Sequence, residues 1–236
     1  MKNLLLKPGK SGALRWQKAG DLVPPAPSGG KWQHKTPIES ILKSHSAQWD
    51  SLHTRSADNG HPLDPETVTQ AKGAYMATFE HMLRTGNEHQ VEHLRKLRVM
   101  PLLGQNDALY NPAYHAIGIG TETLKDGWKE HTAHPALMPI HELGHALDFR
   151  DGKSHLGEEL SKGIEKSKKD PYWVPEPLKA AIKDNAEWGP RLLEMAVSQP
   201  EVFHRTAEKF KAEHGVDLYK MMHTHMAFHV PLPGKE

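Results

Sequence analysis

No cysteine occurs in the chain, which excludes a disulfide framework and every thiolate metal site, so a bound metal must draw on His, Asp or Glu. That absence leaves the compartment open. Long apolar runs are missing as well. Nothing approaches the roughly 20 residues that a membrane span needs, and the opening Met1-Lys2-Asn3-Leu4-Leu5-Leu6-Lys7 is shorter than a signal-peptide core. A soluble chain with no membrane span and no cleavable secretory signal is expected. Charge of one sign is also lacking, since 30 basic and 29 acidic residues leave a formal net charge of +1. No global field would hold phosphate backbones or anionic lipid, and nucleic acid is a poor default partner.

What the chain has in abundance is histidine, 18 in 236 residues. At that density most must be surface or packing residues, and chance motifs become commoner. The length suits one core, since single cores grow to roughly 250 residues before splitting. Residues 1–35 are rich in Gly, Pro, Ser and Lys without a sustained period, as in Lys7-Pro8-Gly9-Lys10-Ser11-Gly12 and Pro24-Pro25-Ala26-Pro27-Ser28-Gly29-Gly30. They read as a flexible leader. Residues 36–236 then form a single domain whose N-terminal part, 36–96, is helical.

Within that part, Thr36-Pro37-Ile38-Glu39 combines a capping box with Pro at the first helical position, followed by Ile38, Ile41, Leu42, Trp49 and Leu52 at helical spacing. Asp64-Pro65-Glu66 opens a second helix whose stripe is Val68, Ala71, Ala74, Tyr75, Phe79 and Met82, with Gly86 placed to stop it. A third helical segment covers Glu88 to Lys96. Strands are expected near Leu97–Leu103 and Tyr114–Gly120. Pro135 and Pro139 bracket the start of a helix carrying Leu143, Ala146, Leu147 and Phe149 and ending at Asp151-Gly152, and the remainder reads as helices punctuated by proline. The fold class is therefore α+β, predominantly helical, with a small sheet and a helical C-terminal half.

The segment His141-Glu142-Leu143-Gly144-His145 carries the chemistry. Residues four apart on a helix lie one above the other, so His141 and His145 direct two imidazoles at one point, a geometry that suits Zn²⁺. Glu142 can reach a water at that point without being a ligand, take its proton and pass it to a leaving amine. A random shuffle of this composition gives His-Glu-x-x-His roughly 0.1 times, so context must decide. Here the motif lies in an amphipathic helix with no proline between the two His, Gly144 where a larger side chain would crowd the cleft, and Ile140, Leu143 and Leu147 as anchors. The competing reading is a His-rich surface helix. Asp148 projects from nearly the same face, either to accept a ligand histidine's free N–H or as a solvated helix-end residue. A catalytic zinc needs a third protein ligand. Asp151 has the offset at which metzincins place their third His, and a downstream Glu would give the His₂Glu pattern.

His141 to Phe149, HELGHALDF, resembles the active-site helix of gluzincin metallopeptidases, in particular the lethal-factor-like domain of bacterial toxins and effectors. In that family the third ligand is the first Glu of an E-F-F-A-E-type segment followed by an S-N-P-E-like turn. Ser198-Gln199-Pro200-Glu201 is similar to that turn, and counting back aligns Glu187 with the ligand. The resemblance, over roughly residues 113–210, implies a zincin-like fold, one Zn²⁺ per chain held by His141, His145 and Glu187, and Glu142 as general base. Arg191 stands where the family has a second Glu, and Gly189-Pro190 is expected to disturb the helix presenting Glu187, which keeps Glu194 and Glu159 as alternatives. In such enzymes an edge strand before the helix pairs with the substrate backbone, and Tyr114–Gly120 is placed for it.

The expected function is thus a zinc-dependent endopeptidase acting on a protein or peptide substrate. Kinship alone implies a secreted or translocated toxin or effector with a delivery or secretion-system partner. Two other readings are a hydrolase of this motif that removes a small group, and a zinc-stabilised binding module without turnover. Tyr110, Tyr114, Tyr172, Tyr219, His223 and His225 are candidate oxyanion donors with no spacing rule to choose among them. His223, His225 and His229 form either a second metal site or, as favoured here, a polar helix face.

Overall fold

The computed structural model describes residues 4–8, 14–18, 37–122, 124, 136–150 and 152–230. Three helices lead: α1 (Ile38–Asp58), α2 (Pro65–Thr85) and α3 (Glu88–Lys96). Their apolar stripes meet as the spacing predicts, with Trp49, Tyr75 and Phe79 fully buried and the Tyr75 ring 5.5 Å from both others. Asp64 caps α2 by accepting the Thr67 N–H at 2.7 Å. The capping box expected at α1 is not the observed start: Pro37 occupies the cap position without a side-chain bond, and Thr36 lies outside the described residues. A reciprocal box does open α3, where Asn87 and Gln90 cap each other at 3.0 Å.

Within the segment expected as a flexible leader, Leu4–Pro8 (β1) and Leu14–Lys18 (β2) pair antiparallel, from Leu4↔Lys18 to Pro8↔Leu14. Part of it thus carries backbone pairing that its Gly- and Pro-rich composition does not suggest. The main sheet has three strands, β3 (Arg98–Leu102), β4 (Ala108–Asn111) and β5 (Ala116–Gly120), in the order β3-β5-β4. β5 runs parallel to β3 and antiparallel to β4. The fold is a predominantly helical α+β arrangement with a small mixed sheet. The sequence reading missed β4, a four-residue strand between turns. It also took β5 as the edge, whereas β5 is central and buried along its whole length.

The two true edges differ. On β3, Gln48 from α1 accepts the Val99 N–H at 2.7 Å and Pro101 has no N–H to offer, so that edge is closed. β4 forms the opposite edge and packs against the next helix, α4 (Met138–Asp148).

α4 ends three residues before the expected Asp151-Gly152. Phe149 is already extended, and Phe149–Arg150 (β6) pairs with Lys153–Ser154 (β7) around Gly152, whose φ of +76° suits glycine. α5 (His155–Ser167) follows, then α6 (Lys179–Lys183), a 3₁₀ turn at Asn185–Glu187, α7 (Trp188–Ser198), α8 (Pro200–His214) and α9 (Leu218–Met226). Among the described residues no helix is long and apolar enough to cross a membrane.

The packing of α7 on α4 sets the geometry of the site. A Cβ on Gly144 would stand 2.6 Å from the Pro190 Cα, and one on Gly189 would stand 2.9 Å from the Asp148 carboxylate. Gly144 therefore faces α7 and not the cleft. Gly189-Pro190 does not disturb the helix as expected, because it falls in the first turn of α7, where backbone N–H groups have no intrahelical acceptor to lose.

Candidate metal centre

One turn apart on α4, His141 and His145 stand with ring centroids 4.8 Å apart. Glu187 reaches them from the 3₁₀ turn that leads into α7, with Oε2 3.4 Å from His141 Nε2 and Oε1 3.4 Å from His145 Nε2. One ligand atom from each of the three lies within 4.8 Å of the others, and these side chains could hold a metal ion. Among the described residues no other three His, Asp or Glu side chains close to that range. Glu187 Oε2 is a buried atom that makes no hydrogen bond, as expected where the intended partner is an ion. The hydrogen bond to His145 pulls the Glu187 carboxyl down to about 2 against its burial, with His141, His145 and Arg191 adding charge attraction.

Behind His141, its other ring nitrogen Nδ1 faces Glu194 Oε1 at 3.3 Å. Burial works against a charge on His141, but the Glu194 carboxylate beside it outweighs burial and raises its pKa above the ordinary value. Glu194 is anchored in turn, its Oε2 accepting from Arg191 Nη1 at 3.0 Å, while Arg191 Nε stands 3.4 Å from Glu187 Oε2. Glu187, Arg191 and Glu194 follow the i, i+4, i+7 spacing of one helix face, which is the signal that could have revealed this arrangement from sequence.

Glu142, 6 % exposed, lies outside the ligand triangle. Burial raises its carboxyl pKa, opposed by the neighbouring imidazoles and a hydrogen bond from the Tyr110 N–H on β4, while Glu187 pushes it further up. With His141, His145 and Glu187 it lines a cleft of about 450 Å³ whose other walls include Leu109, Tyr110, Phe149 and Asp184. Tyr110 is held at its far end too: its hydroxyl meets His115 Nδ1 at 2.9 Å, His115 Nε2 donates to the His93 carbonyl at 2.8 Å, and His93 Nε2 donates to the Ala146 carbonyl of α4 at 2.7 Å. This chain of side chains ties β4 to the end of the helix that carries the two histidines.

The remaining candidates sit elsewhere. Asp148 is neither beside a ligand ring nor solvated. It is buried at the end of α4, where Oδ1 accepts the Leu156 N–H at 2.6 Å and Oδ2 accepts the Ser154 hydroxyl, fixing the start of α5. Glu159 pairs with His225 at 2.8 Å, outside the triangle, and Glu194 stands behind His141 rather than among the ligand atoms. Asp151 lies outside the described residues. His223 and His229 meet edge to face at 6.3 Å without completing a ligand group. Of the oxyanion candidates only Tyr110 lines the cleft; Tyr219 bonds His204 at 2.7 Å, and Tyr114 and Tyr172 are exposed. Comparison with family models, with curated proteins and with solved structures finds no match to the chain.

Proposed function

We propose that the chain is a zinc-dependent peptidase in which His141, His145 and Glu187 hold the ion and Glu142 acts as general base. The observation that carries the reading is a buried, raised-pKa carboxylate beside a His/His/Glu triangle in one open cleft. A structural zinc site closes its coordination with protein and needs no such base. Zinc, when bound, supplies Lewis-acid polarisation and favours ionisation of water at neutral pH. The rest is work for the chain's own groups. Glu142 Oε takes the proton of the attacking water and returns it to the leaving nitrogen, helped by a burial that brings its pKa closer to the operating range. The Tyr110 N–H favours the ionised form of that carboxylate. An extended peptide would join the β4 edge, which lies beside the site, pairing at backbone groups other than the Tyr110 N–H that Glu142 takes. The likeness of His141–Phe149 to the gluzincin helix adds to the reading, and delivery as a secreted toxin or effector rests on that likeness alone.

Elemental analysis of protein reconstituted with zinc at neutral pH tests the metal. About one equivalent per chain is expected from a His₂Glu set, and a trace amount would overturn the proposal.

The supporting carboxylates separate in a paired experiment. Glu194→Leu removes the carboxylate that stands 3.3 Å from His141 Nδ1 and is expected to weaken zinc binding by roughly 10- to 100-fold, as losses of such outer partners do. Asp148→Asn strips a charged acceptor from the α5 start and should lower the melting temperature with little change in zinc affinity. Chelator competition and thermal melts on both variants check this; the reverse assignment of effects would move the orienting role to Asp148.

A further inference from the structure

Arg191 is the least expected member of the centre, a cation inside a group of side chains arranged around a cation site. Its guanidinium bridges the ligand Glu187 and the orienting Glu194, at 3.4 Å through Nε and 3.0 Å through Nη1. Those two carboxylates address the two nitrogens of His141, Nε2 and Nδ1. The four residues close a ring, and the planar fork of arginine lets one side chain serve both carboxylates. Glu187 and Glu194 are thus two carboxylates gathered on one guanidinium, with Glu142 lining the same cleft. Without the guanidinium the two carboxylates lose the charge that joins them, in a site where Glu194 is buried.

We propose that Arg191 is a resident counter-cation of the centre, a positioning residue that holds Glu187 and Glu194 together when no metal is bound and that weakens metal binding by its own positive charge. The inference rests on the metal reading above. In the metal-free protein Arg191 offsets the repulsion between neighbouring carboxylates and keeps Glu187 turned toward the two histidines. Once a divalent ion is bound, the same guanidinium, within ion-pair distance of the ligand carboxylate, opposes it. A simple clamp predicts that losing Arg191 loosens the metal. The counter-cation predicts tighter metal and a weaker metal-free fold.

The test uses Arg191→Met, which keeps the apolar stem, with Arg191→Lys as the conservative variant. The probe is Zn²⁺, with affinity read by competition against a chelating indicator and melting temperature read with zinc and with excess chelator. Arg191→Met is expected to bind zinc roughly tenfold tighter or more. It should melt several degrees lower than wild type without metal and show a larger zinc-induced rise in melting temperature. Arg191→Lys, which restores the charge without the fork, should return both quantities toward wild type. If Arg191→Met folds only when zinc is added, that supports the proposal; failure to fold with zinc overturns it. Unchanged or weaker zinc binding by folded Arg191→Met also overturns it and leaves Arg191 a clamp. Wild type that binds no zinc fails the metal reading itself, an outcome the wild-type titration reports before any variant is compared.

Discussion

Glu142→Gln is expected to retain the fold and a full equivalent of zinc while hydrolysis falls by roughly 10²- to 10⁴-fold, the range for removing a positioned proton-transfer group. Retention follows from the geometry. The ligand atoms come from His141, His145 and Glu187, and the substituted amide keeps the side-chain volume and an oxygen to accept the Tyr110 N–H. What the amide cannot do is take a proton from water. Zinc content and melting temperature measured beside the rate of cleavage of a quenched fluorogenic peptide library separate the two roles. A variant that still cleaves at the wild-type rate refutes the mechanism. One that loses zinc makes Glu142 a ligand and favours the zinc-stabilised binding module over the peptidase.

The helical half of this design was readable because helices announce themselves locally. The stripe from Val68 to Met82 and the Asp64 cap place α2 within a residue, and the four-residue spacing of His141 and His145 is itself the pair of converging imidazoles. Glu187 was reached through its offset from Ser198-Gln199-Pro200-Glu201, since no local rule links a residue at 187 to one at 141. The edge of the sheet was not reachable that way. Which of two short strands is central depends on a crossover between β3 and β5 and on a third strand too short to carry a period, so β4 was missed and β5 was taken as the edge. Asp148 shows a second limit: its helix position points at the histidines, but the chain turns at Phe149 and brings Ser154 and Leu156 back to claim both oxygens. The function of Gly144 was misread for a related reason, because a missing side chain says that something is near without saying what.

The identity of that neighbour leads to the last expected result. Gly144→Ala should cost stability by about 1–3 kcal/mol, the usual range for overpacking, and should weaken zinc binding as well. The added Cβ would stand 2.6 Å from the Pro190 Cα and 3.1 Å from the Pro190 N, and backbone atoms in the first turn of a helix cannot swing aside as a side chain can. The two helices must part instead. Glu187 sits at the start of α7, three residues before Pro190, while both histidines sit on α4, so separation of α4 from α7 draws the carboxylate away from the imidazoles. Coordination tolerates only about 0.2 Å in ligand distance, and roughly a tenfold loss of affinity is expected from a shift larger than that. Gly73→Ala supplies the contrast. It lies inside α2 with nothing within 4 Å of an added Cβ, so it should stabilise by roughly 0.4–1 kcal/mol through the unfolded chain and leave zinc untouched. Thermal melts and zinc competition on the two alanine variants decide the matter. If Gly144→Ala behaves like Gly73→Ala in both, the close crossing of α4 and α7 does not set the position of Glu187.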